Sequence, residues 1–121
     1  MLFRTHNMVN VHNDLMLLVK EVSKKLDIMV ICGHRGQLDQ DEAYKRGASK
    51  VKFPNSKHNS LPSKAIDCVV TDVRGKNIDW KNIKAFEDMI VEFKLAADRL
   101  GIKIECGGDW KMRDYPHIEL V

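Results

Sequence analysis

The chain has 121 residues, of which 44% are apolar and 31% are charged, a mixture typical of one soluble globular domain over residues 1–121. Lys and Arg total 20 against 17 Asp and Glu, and this net charge of +3 is too small to indicate a nucleic-acid-binding protein, although it weakly favours anionic partners. The apolar content excludes intrinsic disorder, and no apolar run approaches the roughly 18 residues that a membrane span needs.

The first third of the chain predicts two helices around one strand. Apolar residues at helical spacing predict a helix over residues 15–26, with Asn13 or Asp14 as its N-cap. Residues 28–32 form a short apolar run that is typical of a buried strand. A second, shorter helix is predicted over residues 39–46, where a following glycine ends it.

The remaining elements begin with a long loop over residues 50–64, which holds two prolines. Loops of this length inside a compact domain are often functional. A strand is predicted over residues 65–71 and a long helix over residues 79–100. Alternating residues predict two more strands, over 102–106 and 117–121.

The order of these elements predicts an α+β domain with a small, mainly antiparallel sheet. The last two strands can pair as a hairpin through residues 107–116. The apolar stripe of the long helix, from Trp80 to Leu100, is expected to face the core.

Three residues in the loop and at the ends of strands could bind a metal: His58, Asp67 and His117. Two imidazoles and one carboxylate are a sufficient ligand set for catalytic zinc and leave a fourth position for water. A chain with 5 His and 17 acidic residues offers many such triples, however. The residues alone therefore leave open a surface or core role for each histidine, and a strand-entry cap for Asp67.

The pattern around these residues resembles the zinc-dependent peptidoglycan peptidases of the VanY and D-alanyl-D-alanine carboxypeptidase-like family. Within that family it is most similar to phage endolysins that cut the L-alanyl-D-glutamate bond. The resemblance covers residues 28–121 and is carried, in this order, by Gly33-His34-Arg35-Gly36, Ser56-x-His58, Ala65-x-Asp67, Gly107-Gly108-Asp109-Trp110 and Asp114-x-Pro116-His117-x-Glu119.

The resemblance implies a hedgehog/D-Ala-D-Ala-peptidase-like fold with one zinc ion in a cleft. It also assigns roles to matching residues: zinc ligands His58, Asp67 and His117, general base Asp114, substrate-binding Arg35 beside the metal, and a nearby hydroxyl, Ser56. The residue types suit this chemistry, since zinc activates water, a carboxylate accepts its proton and a guanidinium stabilises an oxyanion.

Two assignments have alternatives. Asp109, Glu105 and Glu119 could replace Asp114 as the base, and Glu119 shares a strand face with His117, so it could instead orient that ligand. Trp110 could wall the cleft or pack beneath the metal site, or it could be a core aromatic that closes the hairpin.

The sequence departs from the family pattern in three places. Asp67 follows His58 by nine positions instead of the usual seven, and Ser63 takes the usual glycine position. The turn between Trp110 and Asp114 is short, which would open one side of the cleft. His34 stands where an aromatic such as Phe is common. It could contact substrate or be a tolerated planar ring, and we favour the second interpretation.

The function implied by the resemblance is hydrolysis of a peptide bond in the peptidoglycan stem, most simply L-alanyl-D-glutamate. The alternatives are a D-Ala-D-Ala carboxypeptidase or dipeptidase, and a non-catalytic cell-wall-binding module on the same fold. We expect a monomer whose partner is the stem peptide, with no nucleic-acid partner. No secretory signal is predicted, so a phage enzyme of this kind would be made in the host cytoplasm and released to the wall by another protein.

The other histidines and the cysteines receive no role in the chemistry. His6 and His12 lie near the N-terminus, outside every motif. The cysteines, at positions 32, 68 and 106, are widely spaced and odd in number, which favours free thiols. They fall in or beside predicted strands, and we interpret them as small core residues.

Overall fold

A computed structural model describes residues 8–72 and 77–121 of the chain. His6 lies outside these ranges. The helices and strands, in chain order, are α1 (Asn13–Val22), β1 (Ile28–Cys32), α2 (Gln37–Lys45), β2 (Ala65–Val70), α3 (Ile83–Leu100), β3 (Ile104–Cys106) and β4 (His117–Leu120). Two short 3-10 helices, Lys57–Asn59 and Gly107–Asp109, precede β2 and β4. Within the described ranges, no helix combines the length and apolarity that crossing a bilayer requires.

The four strands form one sheet in the order β1-β2-β4-β3, and every neighbouring pair is antiparallel. The predicted α+β class and the terminal β3–β4 hairpin are therefore confirmed. Because β2 is paired on both sides, Asp67 has Cys32 as its partner in β1 and His117 as its partner in β4. The sheet thus brings together residues that lie far apart in the chain.

The core forms between the sheet and the two amphipathic helices α1 and α3. Leu15 and Leu18 of α1 and Phe93 of α3 are completely buried, and so is Ile66 of β2. Burial of such aliphatic and aromatic side chains is the main favourable contribution to folding. The α2 helix is different, because only Gln40 and Ala43 are buried along its length.

The prediction that the whole stripe from Trp80 to Leu100 is core was wrong at its ends. Trp80 is 53% exposed, Ile83 40% and Leu100 42%. The helix begins at Ile83, after the N-cap Asn82, so Trp80 precedes it and stacks on Phe86 from outside. The buried residues of α3 run from Phe86 to Ala97, so the exposed positions lie before and after the part of the helix that packs on the core.

Both ends of α1 also differ from expectation. The N-cap of α1 is His12, whose ring accepts a hydrogen bond from the Asp14 backbone N–H at 3.0 Å, so neither Asn13 nor Asp14 is the cap. The helix ends at Val22 instead of continuing to Leu26. By contrast, Gly101 ends α3 in the left-handed conformation, as a C-terminal glycine commonly does.

All three cysteines lie in the described part of the chain and are free. Cys68 and Cys106 are buried, as expected, whereas Cys32 is partly exposed. The interpretation of Cys32 as a core residue was therefore wrong. A register shift between Val30 and Cys32 interrupts the β1–β2 ladder at this point.

Candidate metal centre

Asp67 lies at the centre of a convergent group of side chains. Its Oδ1 atom is buried and accepts no hydrogen bond from any described residue. His58 Nε2 lies 3.5 Å from this oxygen and His117 Nδ1 lies 3.4 Å from it. An unsatisfied buried carboxylate oxygen is unusual and calls for a partner such as an ion.

The two distances from Asp67 fit two edges of a tetrahedral metal site. Among the described residues, the ligand atoms that lie within 4.8 Å of one another form two groups that share Asp67: one with Cys32 and His58, the other with Asp114 and His117. Two ligand atoms that each lie about 2.0–2.1 Å from a zinc ion are about 3.3–3.4 Å apart along a tetrahedral edge. The distances from Asp67 to the two histidine nitrogens match that edge within about 0.2 Å. The donor set of two imidazoles and one carboxylate is also one that zinc prefers.

The histidine tautomers are fixed by contacts on the far side of each ring. Nδ1–H of His58 donates to the Gly33 carbonyl at 2.8 Å, which leaves the Nε2 lone pair facing Asp67. Nε2–H of His117 donates to Glu119 Oε1 at 2.7 Å, which leaves the Nδ1 lone pair facing Asp67. Metal-binding histidines are usually oriented in this way.

The same proximity perturbs the titration of all three groups when no metal is present. Burial opposes ionisation of Asp67, but contacts with His117 and His58 outweigh it and hold the pKa of Asp67 well below its usual range. Burial likewise opposes protonation of His58, yet its contacts with Asp67 and Cys32 raise the pKa of His58 to about 10. The pKa of His117 is raised for a similar reason. Without a metal, protons on the ring nitrogens that face Asp67 would take the place of a cation.

Asp114 is placed beside this group by the turn that follows β3. Its backbone N–H donates to the Gly107 carbonyl at 2.9 Å, and its own carbonyl accepts from the His117 N–H at 3.1 Å. Gly107 is required for this close approach, because a Cβ there would lie 2.3 Å from the Asp114 carbonyl oxygen. A carboxylate oxygen of Asp114 lies within 4.8 Å of ligand atoms of Asp67 and His117.

The environment of Asp114 suits proton transfer better than those of the alternative acids. Asp114 is exposed at the cleft, where partial desolvation of its carboxylate and the nearby negative charge of Asp67 raise its pKa. The carboxylate makes no hydrogen bond or ion pair with a described residue. Asp109 points elsewhere and pairs with Lys94 at 2.7 Å, while Glu105 is exposed on β3. Glu119 is engaged by His117 and Lys57.

A cleft of about 330 Å³ opens onto these side chains. Arg35 lines it, with Nη2 3.9 Å from Asp67 Oδ2. Trp110 also lines it, and its ring is tilted against His117 at a centroid distance of 5.0 Å. Ser56 and Glu119 also line the cleft. The Ser56 hydroxyl accepts a hydrogen bond from the His58 backbone N–H at 3.2 Å.

The longer loop between His58 and Asp67 does not separate these two side chains. Leu61 and Pro62 within this loop are exposed, Leu61 by 70%. Ser63 is fully buried, and its hydroxyl donates to the Ala65 carbonyl at 2.6 Å. The chain therefore re-enters the sheet at a fixed point, and Asp67 still faces His58.

Sequence reasoning missed three neighbours of the site. Lys57 Nζ lies 3.0 Å from Glu119 Oε2, and Cys32 Sγ lies 3.9 Å from His58 Nδ1. Gln40 is buried, and its Oε1 accepts a hydrogen bond from Arg35 Nη1 at 3.0 Å. No local signal could have found these contacts, because the partners of Lys57 and Cys32 are more than 20 residues away. His34 does not line the cleft, consistent with a tolerated ring.

Known proteins are similar to this chain in sequence and fold. The sequence profile of the phage L-alanyl-D-glutamate peptidase family matches residues 4–121, nearly the whole chain. The chain belongs to this family. The Escherichia phage T5 L-alanyl-D-glutamate peptidase is 32% identical over 94 residues, which are 78% of this chain and 66% of that protein.

Two bacterial proteins support the family assignment. The peptidoglycan L-alanyl-D-glutamate endopeptidase CwlK of Bacillus subtilis (strain 168) is 33% identical over 114 residues, with 82% of this chain and 64% of that protein covered. The chain thus spans just under two thirds of these two relatives. The crystal structure of the Serratia marcescens L-Ala D-Glu endopeptidase ChiX superposes with a TM-score of 0.83 and 27% identity, over 99% of this chain and 90% of that one.

Proposed function

We propose that this protein is a zinc peptidase that hydrolyses the L-alanyl-D-glutamate bond of peptidoglycan stem peptides. The observation that carries the proposal is the convergence of His58 Nε2 and His117 Nδ1 on the unsatisfied Oδ1 of Asp67. Membership of a family named for this bond supports the choice of substrate.

His58, Asp67 and His117 would hold one zinc ion. When bound, zinc lowers the pKa of a coordinated water to about 7 and polarises a carbonyl group. Gly33 and Glu119 support the two histidines, since they accept the hydrogen bonds that fix each tautomer.

Asp114 and Arg35 supply the remaining chemistry. Asp114 accepts the proton of the attacking water and passes it to the leaving amine, which its open position in the cleft and raised pKa favour. Arg35 lies in the same cleft, where its guanidinium stabilises the negative charge that develops on the scissile carbonyl oxygen.

Trp110 and Ser56 shape the cleft around these groups. The Trp110 ring lies against His117, so it limits movement of that ligand and gives the substrate a flat apolar wall. Ser56 caps the 3-10 helix that carries His58, and its hydroxyl also faces the cleft. We assign both residues to substrate contact and support of the site.

The decisive experiment is digestion of purified sacculi by the zinc-loaded protein, followed by mass analysis of the fragments. The proposal expects new N-terminal D-glutamate, whereas released D-alanine would identify a carboxypeptidase and binding without cleavage would identify a wall-binding module. His117→Ala and zinc removal should each abolish cleavage. His34→Ala, outside the cleft, is the matched control and should cleave normally. Full activity of His117→Ala would overturn the proposal.

We further propose that the protein acts as a monomer on the cell wall and that a separate protein releases it there. The net charge of +3 supports weak retention on an anionic polymer, which salt should reduce. Light scattering during size-exclusion chromatography would test the oligomeric state. Sedimentation with sacculi at low and high salt would test the retention.

A further inference from the structure

Gln40 is a buried polar residue that the mechanism above does not use. It lies in α2, and its side chain is 0% exposed. Burying an amide in this way is unfavourable unless each of its polar atoms finds a hydrogen-bond partner. The contacts of Gln40 therefore indicate what the residue is for.

All the hydrogen-bonding capacity of the Gln40 amide is used. Oε1 accepts from Arg35 Nη1 at 3.0 Å and from Asn59 Nδ2 at 3.1 Å. Nε2 donates to Ser49 Oγ at 2.8 Å and to the Val51 carbonyl at 2.7 Å. Since the partners of Oε1 are both donors and Val51 offers only an acceptor, the amide fits in one orientation.

These partners belong to three separate parts of the cleft wall. Asn59 accepts the Ser56 backbone N–H and so completes the cap of the 3-10 helix that carries His58. Ser49 and Val51, from the segment after α2, also line the cleft. Arg35 is the third part, and its second terminal nitrogen, Nη2, faces Asp67 Oδ2 at 3.9 Å.

We propose that Gln40 is the positioning residue of Arg35 and that it holds the guanidinium in the orientation the proposed hydrolysis requires. An arginine side chain has many rotamers, and fixing Nη1 from behind directs Nη2 into the cleft before substrate arrives. A neutral amide also orients the guanidinium without neutralising its charge, whereas a carboxylate in the same place would neutralise it. Gln40 thus adds no further negative charge beside Arg35, whose Nη2 lies 3.9 Å from Asp67 Oδ2 and donates to Cys32 Sγ at 3.4 Å.

The proposal rests on the proposed function, so its test begins with a measurement that needs no turnover. In the full-length protein, NMR relaxation of the arginine Nε–Hε groups should show Arg35 more ordered than the exposed Arg46. Gln40→Met should lower the order of Arg35 and leave Arg46 unchanged. If Arg35 in the unmodified protein is as mobile as Arg46, the proposal is wrong, whatever the enzyme cleaves.

The second arm is a double-mutant cycle on the zinc-loaded enzyme, with Gln40→Met, Arg35→Met and the double variant. Gln40→Met should lower kcat by about 10-fold to 100-fold, with KM changed much less and zinc content unchanged. In the Arg35→Met background the same change should cost less than about 2-fold, because the residue acts through Arg35. Multiplicative losses or loss of zinc would overturn the proposal.

Asp41→Ala is the matched control for both arms, since Asp41 is an exposed neighbour on the same helix. It should change neither Arg35 order nor kcat. If no variant or unmodified protein cleaves stem peptides but Arg35 remains ordered through Gln40, the proposed function fails while the positioning contact stands. The two failures are therefore distinguishable.

Discussion

Glu119 Oε1 lies 2.7 Å from His117 Nε2, on the side of the ring that faces away from Asp67. The two residues are two positions apart on β4, so their side chains share one face of the sheet. Lys57 Nζ lies 3.0 Å from the other Glu119 oxygen. This chain of contacts fixes the His117 ring and keeps a carboxylate behind it.

Glu119→Ala should weaken zinc binding by about 10-fold to 100-fold, because the His117 ring loses the acceptor that sets its tautomer. Competition with a chromophoric chelator measures this affinity directly. Glu105→Ala is the control, since Glu105 pairs with Glu119 across the strands but is exposed. Equal zinc affinity for the two variants would contradict the role assigned to Glu119.

Asp114→Asn should lower kcat by about 100-fold to 10,000-fold, since an amide cannot accept the proton of the attacking water. Zinc content should stay at the unmodified level. Asp109→Asn serves as the comparison, because Asp109 pairs with Lys94 outside the cleft and should retain activity. The assignment fails if Asp109→Asn is the more damaging change.

Zinc binding at pH 7 should release about two protons, one from each imidazolium. Burial disfavours the charged ring of His58, but contact with Asp67 raises its pKa to about 10, and the pKa of His117 is also raised. Protons therefore compete with zinc for the two histidines. The apparent affinity for zinc should rise with pH up to about pH 10, where His58 loses its proton.

Calorimetric titration in two buffers of different ionisation enthalpy measures the number of protons released. The His58→Ala variant should release one proton fewer. A binding heat that is the same in both buffers would show that the rings are already neutral.

Gly107→Ala should destabilise the fold by about 1–3 kcal/mol and weaken zinc binding. An added Cβ would lie 2.3 Å from the Asp114 carbonyl oxygen and 2.9 Å from His117 Cβ, so the turn carrying both residues must shift. Denaturant unfolding and chelator competition measure the two effects. Gly36→Ala, where a Cβ meets nothing within 4 Å, should cost less than about 1 kcal/mol.

Phe93→Ala should cost about 3–5 kcal/mol of stability, because it removes a fully buried ring from the centre of α3. Trp80→Ala should cost much less, since that ring is 53% exposed and only stacks on Phe86. Denaturant unfolding of the two variants tests where the core ends. If the two variants lost similar amounts of stability, Trp80 would belong to the core.

Local sequence was enough for most of the secondary structure. Apolar spacing predicts the strand at residues 28–32 and the long helix that Gly101 ends. Both patterns depend only on residues that are close in the sequence. Local sequence does not predict where the helices begin and end. His12 caps α1 and Trp80 lies outside α3 because flanking contacts decide such boundaries.

The sequence by itself also determined the chemical types available at the site, through the ordered residues around His58, Asp67 and His117. Only the tertiary structure decided that their nitrogens and oxygen converge, since antiparallel pairing of β2 with β4 sets Asp67 opposite His117. Only the tertiary structure shows the hydrogen bond between Gln40 and Arg35. Such contacts join segments that only the path of the folded chain brings together, so no local pattern encodes them.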